Sequence, residues 1–203
     1  MKGETHALVG AATAVMVTNP VTFSGLVLAA ITGALGGLYC DIDSAKSIGK
    51  RVFNTIIGIA ILGSTFAVYV IANFMPDIYE KWRVDDQLVI KIGCFIGLII
   101  MTVIGKESSH RKVTHSIEFT GVVFCMLYFI DKNVASCFAL GMISHIAIDL
   151  LNKRTVRLSV LFDIDFCFNL CYSDGIISKF LSVIAAVIVT CHQGGMLLHG
   201  LSL

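Results

Sequence analysis

Charged residues are scarce in this sequence. They make up 14% of its 203 residues, whereas a soluble domain has about 25%. The mean hydropathy is +0.85, and the formal net charge of +1 shows no excess of either sign that would favour nucleic acid as a partner. The composition excludes an ordinary soluble domain and predicts a polytopic membrane protein.

Two patterns of reactive residues are also missing. The seven cysteines include no Cys-x-x-Cys pair, and most of them lie in apolar runs. A disulfide framework or a thiolate zinc site is therefore not expected. The Gly-x-Ser-x-Gly pattern is absent as well, which disfavours a covalent serine mechanism.

Long apolar runs alternate with short polar stretches, which predicts an all-α bundle of about six or seven membrane helices. Residues 7–17 and 21–38 form the first two, and Thr18-Asn19-Pro20 between them predicts a helical hairpin. The first arm is short for a full crossing. The further spans are expected at residues 52–74, 88–105, 117–130, 134–151 and 180–198. Residues 152–179 are expected outside the membrane, and residues 1–203 are expected to form one domain.

This alternation brings the polar motifs to one face of the membrane. Eleven Lys and Arg residues fall on that side and four on the other. By the positive-inside rule the motif side is cytoplasmic, which predicts a multi-pass membrane protein with its motifs at the cytoplasmic face.

His145 and Asp149 are four residues apart on a predicted helix. Their side chains should project from one face, about one turn apart. They could bind the same ion, or the carboxylate could orient the imidazole. The alternative is a hydrogen-bonded pair that holds helices together.

Asp41 and Asp43 follow the glycine-rich end of the second run. Two carboxylates this close repel each other unless protons or a cation intervene, and divalent metals commonly neutralise such pairs. The alternative is an ordinary acidic loop balanced by Lys46 and Lys50.

Residues 110–116 are the most polar run between two apolar blocks, which favours a functional site at the membrane boundary. His110 and His115 are too far apart for one helical face, so a loop is expected in which Thr114 or Ser116 caps the next helix. Arg111 suits an anionic oxygen, such as that of a phosphoryl group. The alternative is a basic loop that binds anionic lipid headgroups.

Taken together, these residues predict a metal site at the cytoplasmic face. Mixed nitrogen and oxygen ligands favour a divalent ion such as zinc or manganese, in one or two copies. The expected ligands are His6, Asp41, Asp43, His110, His115, His145 and Asp149.

The order of these motifs resembles a known family. Thr5-His6, Asp41-Ile-Asp43, His110-Arg-x-x-Thr-His115-Ser and Ser144-His145-x-x-x-Asp149 are similar to the YdjM-like, LexA-regulated family of bacterial inner-membrane proteins, over roughly the first three quarters of the chain. The resemblance implies a membrane-bound metal-dependent hydrolase. The family usually has Pro-Asp-Ile-Asp-His-Pro, whereas Cys40, Ser44 and Ala45 flank the carboxylates here. The missing histidine puts a second ion in doubt more than the first.

The first hypothesis is a hydrolase that acts on a lipid or lipid-linked (phospho)ester through a metal-activated water. Asp43, or else Asp41 or Asp149, would take the proton of the water, and Arg111 and Lys46 would stabilise the developing negative charge. Membrane lipids are the expected partners. One rival is a metal or proton transporter, although ionisable groups are sparse in the far halves of the predicted spans. Another is a non-catalytic protein with a structural metal.

Overall fold

The chain folds as an all-α bundle, as predicted from its apolar runs. The computed structural model describes residues 1–44, 47–75, 77–78, 86–108, 111–172 and 175–201. Within these ranges it contains seven α-helices and one short β-hairpin. The helices are α1 (Gly3–Thr18), α2 (Phe23–Tyr39), α3 (Ile48–Phe74), α4 (Asp86–Glu107), α5 (Ile117–Ile130), α6 (Lys132–Leu150) and α7 (Ile176–Leu201).

Five of the described helices are long and apolar enough to cross a membrane. These candidate spans are Phe23–Asp43, Ile48–Ile71, Gln87–Glu107, Lys132–Leu150 and Ile176–Gly195. The expected number of six or seven is reached only if α1 and α5 are counted. With 16 and 14 residues, these helices are about 24 and 21 Å long, shorter than a hydrocarbon core of about 30 Å.

The predicted hairpin of the first two helices is present, and its helices touch at their backbones. Asn19 ends α1 in the left-handed conformation, and its N–H donates to the Val15 carbonyl. A Cβ atom at Gly37 of α2 would overlap the His6 carbonyl oxygen of α1. Small residues permit such close helix approach, and here they place His6 beside the end of α2.

Helix α6 packs equally closely on α2. A Cβ atom at Gly141 would overlap the Gly33 carbonyl oxygen. Because His145 lies one turn further along α6 than Gly141, this contact fixes its depth relative to α2. The three helices α1, α2 and α6 thus form the frame of the site.

An aromatic cluster anchors the polar turn that follows α2. Tyr39 packs on Phe53, Phe119 and Phe138, and its hydroxyl is 2.9 Å from Thr102 Oγ1. The next residues, Cys40–Asp43, form a 3₁₀ turn in which Ile42 is fully buried. Burial of such a side chain contributes about 1.5–3 kcal/mol, so Ile42 holds the two flanking aspartates in position.

Residues 152–179 contain two short strands that the sequence reading did not predict. Strand β1 (Val156–Ser159) pairs with β2 (Ile164–Phe166) in an antiparallel hairpin. The N–H of Arg157 donates to the Arg111 carbonyl at 3.1 Å. The hairpin therefore lies against the polar loop that precedes α5.

Candidate metal centre

Helix α6 supplies two buried polar side chains to the centre of the site. His145 and Asp149 are 0% and 1% exposed, and His145 Nε2 lies 3.9 Å from Asp149 Oδ2. The spacing of four residues places both on one face, as the sequence predicted.

His145 is oriented by the backbone of α2. Its Nδ1 is 2.6 Å from the Gly37 carbonyl oxygen, and a carbonyl oxygen can only accept. Nδ1 therefore carries a proton, and in the neutral imidazole Nε2 presents a lone pair.

His115 is oriented by a short relay of hydrogen bonds. The Thr114 hydroxyl donates to Asp43 Oδ2 at 2.8 Å, and Thr114 Oγ1 is 3.0 Å from His115 Nδ1. Because the single hydroxyl proton is directed to the carboxylate, His115 Nδ1 must donate to Thr114 Oγ1. In the neutral imidazole, His115 Nε2 is then unprotonated as well.

The two unprotonated nitrogens face each other. His115 Nε2 and His145 Nε2 are 3.1 Å apart, and both side chains are fully buried. Two lone pairs at this distance repel unless a cation or a proton lies between them. Two nitrogen ligands at about 2.0–2.1 Å from a tetrahedral ion lie roughly 3.3 Å apart, so the pair has the spacing of metal ligands.

His6 lies against this pair from α1. Its ring stacks on His145 with centroids 3.6 Å apart, and its Nε2 is 3.3 Å from Asp149 Oδ1. That contact lacks hydrogen-bond geometry, and both ring nitrogens are buried without a hydrogen-bond partner. Each such group costs about 1–3 kcal/mol, and coordination of an ion by one nitrogen would remove that cost.

Asp149 is surrounded by donors. Its Oδ1 accepts from the Met1 amino group and from Asn152 Nδ2, both at 2.8 Å. Its Oδ2 is 2.8 Å from Arg111 Nη2. These contacts offset the cost of burying the carboxylate.

Asp41 and Asp43 occupy different places although they are two residues apart. Asp41 Oδ1 lies 3.8 Å from His145 Nε2, and its side chain is 15% exposed. The Asp43 side chain is fully buried, and its Oδ2 also accepts from the Arg111 N–H at 2.9 Å. Asp41 thus borders the imidazole pair directly, whereas Asp43 acts on it through Thr114.

The donor atoms form two overlapping groups that could hold an ion. One is His6, His145 and Asp149, and the other is Asp41, His115 and His145; within each group the ligand atoms lie within 4.8 Å of one another. The unpartnered nitrogens of His6 and the facing pair of imidazoles both fit a divalent cation of the zinc class.

Arg111 connects the site to the β-hairpin. It has a left-handed backbone, with φ of 64°, which is strained for a residue with a Cβ atom. Asp43 binds its N–H and Arg157 binds its carbonyl, so contacts on both sides hold it in this conformation. Its guanidinium is directed to Asp149 on one side and to the Arg154 carbonyl, 3.3 Å from Nη1, on the other.

Most of the residues selected from the sequence meet in this cluster. The structure brings together His6, Asp41, Asp43, Arg111, His115, His145 and Asp149. The predicted ligand His110 and the predicted catalytic Lys46 lie outside the described residues. Of the two expected caps of α5, Ser116 is the one used, accepting from the Phe119 N–H.

Three groups that orient the cluster were not predicted from the sequence. Thr114 connects Asp43 to His115, Asn152 binds Asp149, and the Gly37 carbonyl binds His145. The spacing of three residues between Asp149 and Asn152 could have indicated the contact between their side chains. A backbone carbonyl such as that of Gly37 has no signature in the sequence.

Comparison with known proteins identifies the family. A family model described as YdjM inner membrane protein matches residues 1–202. The chain belongs to the YdjM family of inner membrane proteins. The match extends the resemblance seen in the motifs from three quarters of the chain to nearly all of it.

One relative of this YdjM family member carries no activity in its name. The chain is 28% identical over 104 residues to the uncharacterized protein YvsG of Bacillus subtilis (strain 168), which covers 50% of the chain and 65% of that relative. The chain thus spans somewhat less than two thirds of the length of the curated relative. No solved structure matches.

Proposed function

We propose that this protein is a metal-dependent hydrolase that acts on a lipid or lipid-linked ester or phosphoester at the cytoplasmic face of the inner membrane. The observation that carries the proposal is the 3.1 Å approach of His115 Nε2 and His145 Nε2, with both Nδ1 atoms engaged as donors. The assignment of the site to the cytoplasmic face is based on the excess of Lys and Arg on the motif side.

The ion would be held by His115 and His145, with His6, Asp41 and Asp149 completing the donor set. When bound, it would polarise the scissile bond and acidify a water molecule. Zinc and manganese suit this mixture of imidazole and carboxylate ligands. The Thr114 and Gly37 contacts keep the two imidazoles in the tautomer that binds a cation.

Asp41 is the best placed of the three carboxylates to accept the proton of the attacking water. Asp149 is enclosed by donors, and Asp43 Oδ2 is engaged by Thr114 and Arg111. Asp41 is the most exposed of the three, so a water molecule can reach it. Asp43 then acts as a positioning residue for His115.

Arg111 would stabilise the negative charge that develops on the substrate. Its Nε is buried without a hydrogen-bond partner, so the guanidinium retains a donor for an anionic oxygen. Such charge-assisted contacts are about twice as strong as neutral hydrogen bonds.

The proposal is tested by hydrolysis of a panel of lipid esters and phosphoesters in proteoliposomes. We expect turnover by the wild-type protein with zinc or manganese, loss with a chelator, and recovery when the metal is restored. Asp41→Asn should lower kcat by about 100-fold or more, whereas Asp77→Asn, at an exposed residue on the opposite side, should not. Metal-independent turnover, or full activity of Asp41→Asn, would contradict the proposal.

A further inference from the structure

A basic pocket lies beside the candidate metal centre, on the side of the β-hairpin. Its volume is about 460 Å³, within the usual range of roughly 300–1,000 Å³ for ligand pockets. Five of the seven residues that line it are cationic, and Asp165 is the one acid among them. The cationic residues are Arg111, Lys112, Lys153, Arg154 and Arg157.

Two of these cations are neutralised by carboxylates. Arg157 binds Asp163 and Asp165, and this contact lowers the pKa of the Asp165 carboxyl. Arg111 is paired with Asp149. Within the described part of the chain, Lys112, Lys153 and Arg154 form no ion pair, so the pocket has an excess of positive charge.

Two of the cationic residues, Lys153 and Arg154, make further contacts that fix this segment. Lys153 Nζ lies 3.9 Å from the centroid of the Tyr172 ring, and this ammonium lowers the pKa of the Tyr172 hydroxyl. The Arg154 carbonyl accepts from Arg111 Nη1. The segment from Lys153 to Arg157, which leads into β1, therefore forms one wall of the pocket.

Arg111 belongs to both the pocket and the metal centre. One nitrogen, Nη2, contacts Asp149 in the buried cluster, whereas the side chain also lines the pocket. Its Nε is a buried donor without a partner among the described residues. The hydrogen-bonding capacity of the Arg111 guanidinium is therefore not used up by its protein contacts.

We propose that this pocket binds the phosphate group of an anionic ligand. Arg and Lys side chains are the usual partners of phosphate oxygens. The phosphate can come from a phospholipid headgroup or from a soluble phosphate compound. This step rests on the proposed hydrolase. The pocket would then select phosphoesters over carboxylic esters as substrates, because Arg111, which lines it, contacts the Asp149 carboxylate beside the imidazole pair.

Binding is measured directly, without turnover, on the full-length protein in phosphatidylcholine nanodiscs treated with a chelator. One arm titrates inorganic phosphate by calorimetry. The second replaces one tenth of the phosphatidylcholine with phosphatidic acid and counts bound lipid by native mass spectrometry. Saturable binding in the first arm identifies a soluble ligand, and selective retention in the second identifies a lipid headgroup; either result supports the pocket.

The variant Lys153→Ala/Arg154→Ala should weaken the observed binding at least tenfold. Its matched control is Lys50→Ala/Arg51→Ala, which removes the same charge from the first turn of α3 on the same side of the membrane, outside the pocket. Thermal unfolding confirms that both variants are folded.

The proposal is overturned by no binding in either arm, or by equal losses in the two double variants, which would indicate diffuse attraction to the basic face. The binding assay contains no metal and is therefore independent of turnover. Phosphate binding there, together with no hydrolysis in the metal-loaded proteoliposome assay, would retain the pocket and reject the proposed function. Hydrolysis without phosphate binding would support the proposed function and reject the pocket.

Discussion

His115 Nε2 and His145 Nε2 face each other at 3.1 Å in the interior of the bundle, and each imidazole donates from its other nitrogen to a fixed acceptor. These acceptors are a backbone carbonyl of α2 and a hydroxyl already committed to a carboxylate. The protein thus arranges two lone pairs toward one point. This arrangement is expected of ligands to a shared cation.

Thr114→Val tests the relay that orients His115. The variant keeps the shape of the side chain but removes the contact between Asp43 and His115 Nδ1. We expect a loss of about 10–100-fold in metal affinity, measured by competition with a chromogenic chelator, and recovery in Thr114→Ser. The control is Thr120→Val, because the Thr120 hydroxyl binds the Ser116 carbonyl and not the site. Equal affinities in the Thr114→Val and wild-type proteins would rule out the relay.

Gly37→Ala tests the close packing of α1 on α2. The new Cβ atom would overlap the His6 carbonyl oxygen, so the helices must separate. We expect a loss of about 1–3 kcal/mol in the free energy of unfolding, seen as a lower Tm in detergent. Gly58→Ala is the control, since a Cβ atom there would have no neighbour within 4 Å. A Tm for Gly37→Ala as high as that of the control would show that the helices do not touch there.

Arg111→Lys separates a catalytic metal from a structural one. Lysine keeps the positive charge but cannot contact Asp149 and an anionic oxygen through one planar group. We expect bound metal to be retained and kcat to fall by about 100-fold, measured in the proteoliposome assay. An unchanged kcat would remove Arg111 from the reaction.

The orientation in the membrane is tested with reporter fusions. The excess of Lys and Arg on the motif side predicts that a fluorescent protein fused after Lys153 folds in the cytoplasm, whereas alkaline phosphatase fused after Asn133 is active outside it. The reciprocal pattern would place the candidate site on the periplasmic face.

The sequence predicts the elements of this fold better than their contacts. Apolar runs and the Thr18-Asn19-Pro20 break give the helices because hydropathy and turn chemistry are local properties. The spacing of His145 and Asp149 fixes their shared face for the same reason. Asp41 and Asp43 could not be told apart, because the 3₁₀ turn around buried Ile42 directs them to different neighbours.

Neither the β-hairpin nor the backbone conformation of Arg111 could be predicted from local sequence patterns. The strands are four and three residues long, with an irregular register between Arg157 and Ser159, so no clear alternation marks them. The left-handed backbone of Arg111 depends on Asp43 and Arg157, which are distant in sequence. Tertiary contacts override the local preference there.

The metal content of the detergent-purified protein tests the central claim most directly. It is measured by elemental analysis for the wild type, for His115→Ala/His145→Ala, and for His192→Ala as a control outside the cluster. We predict one or two zinc or manganese ions per wild-type chain, the same number in the control, and none in the double variant. Absence of metal from folded wild-type protein after incubation with both ions would contradict the account and indicate that a proton is shared between the two imidazoles.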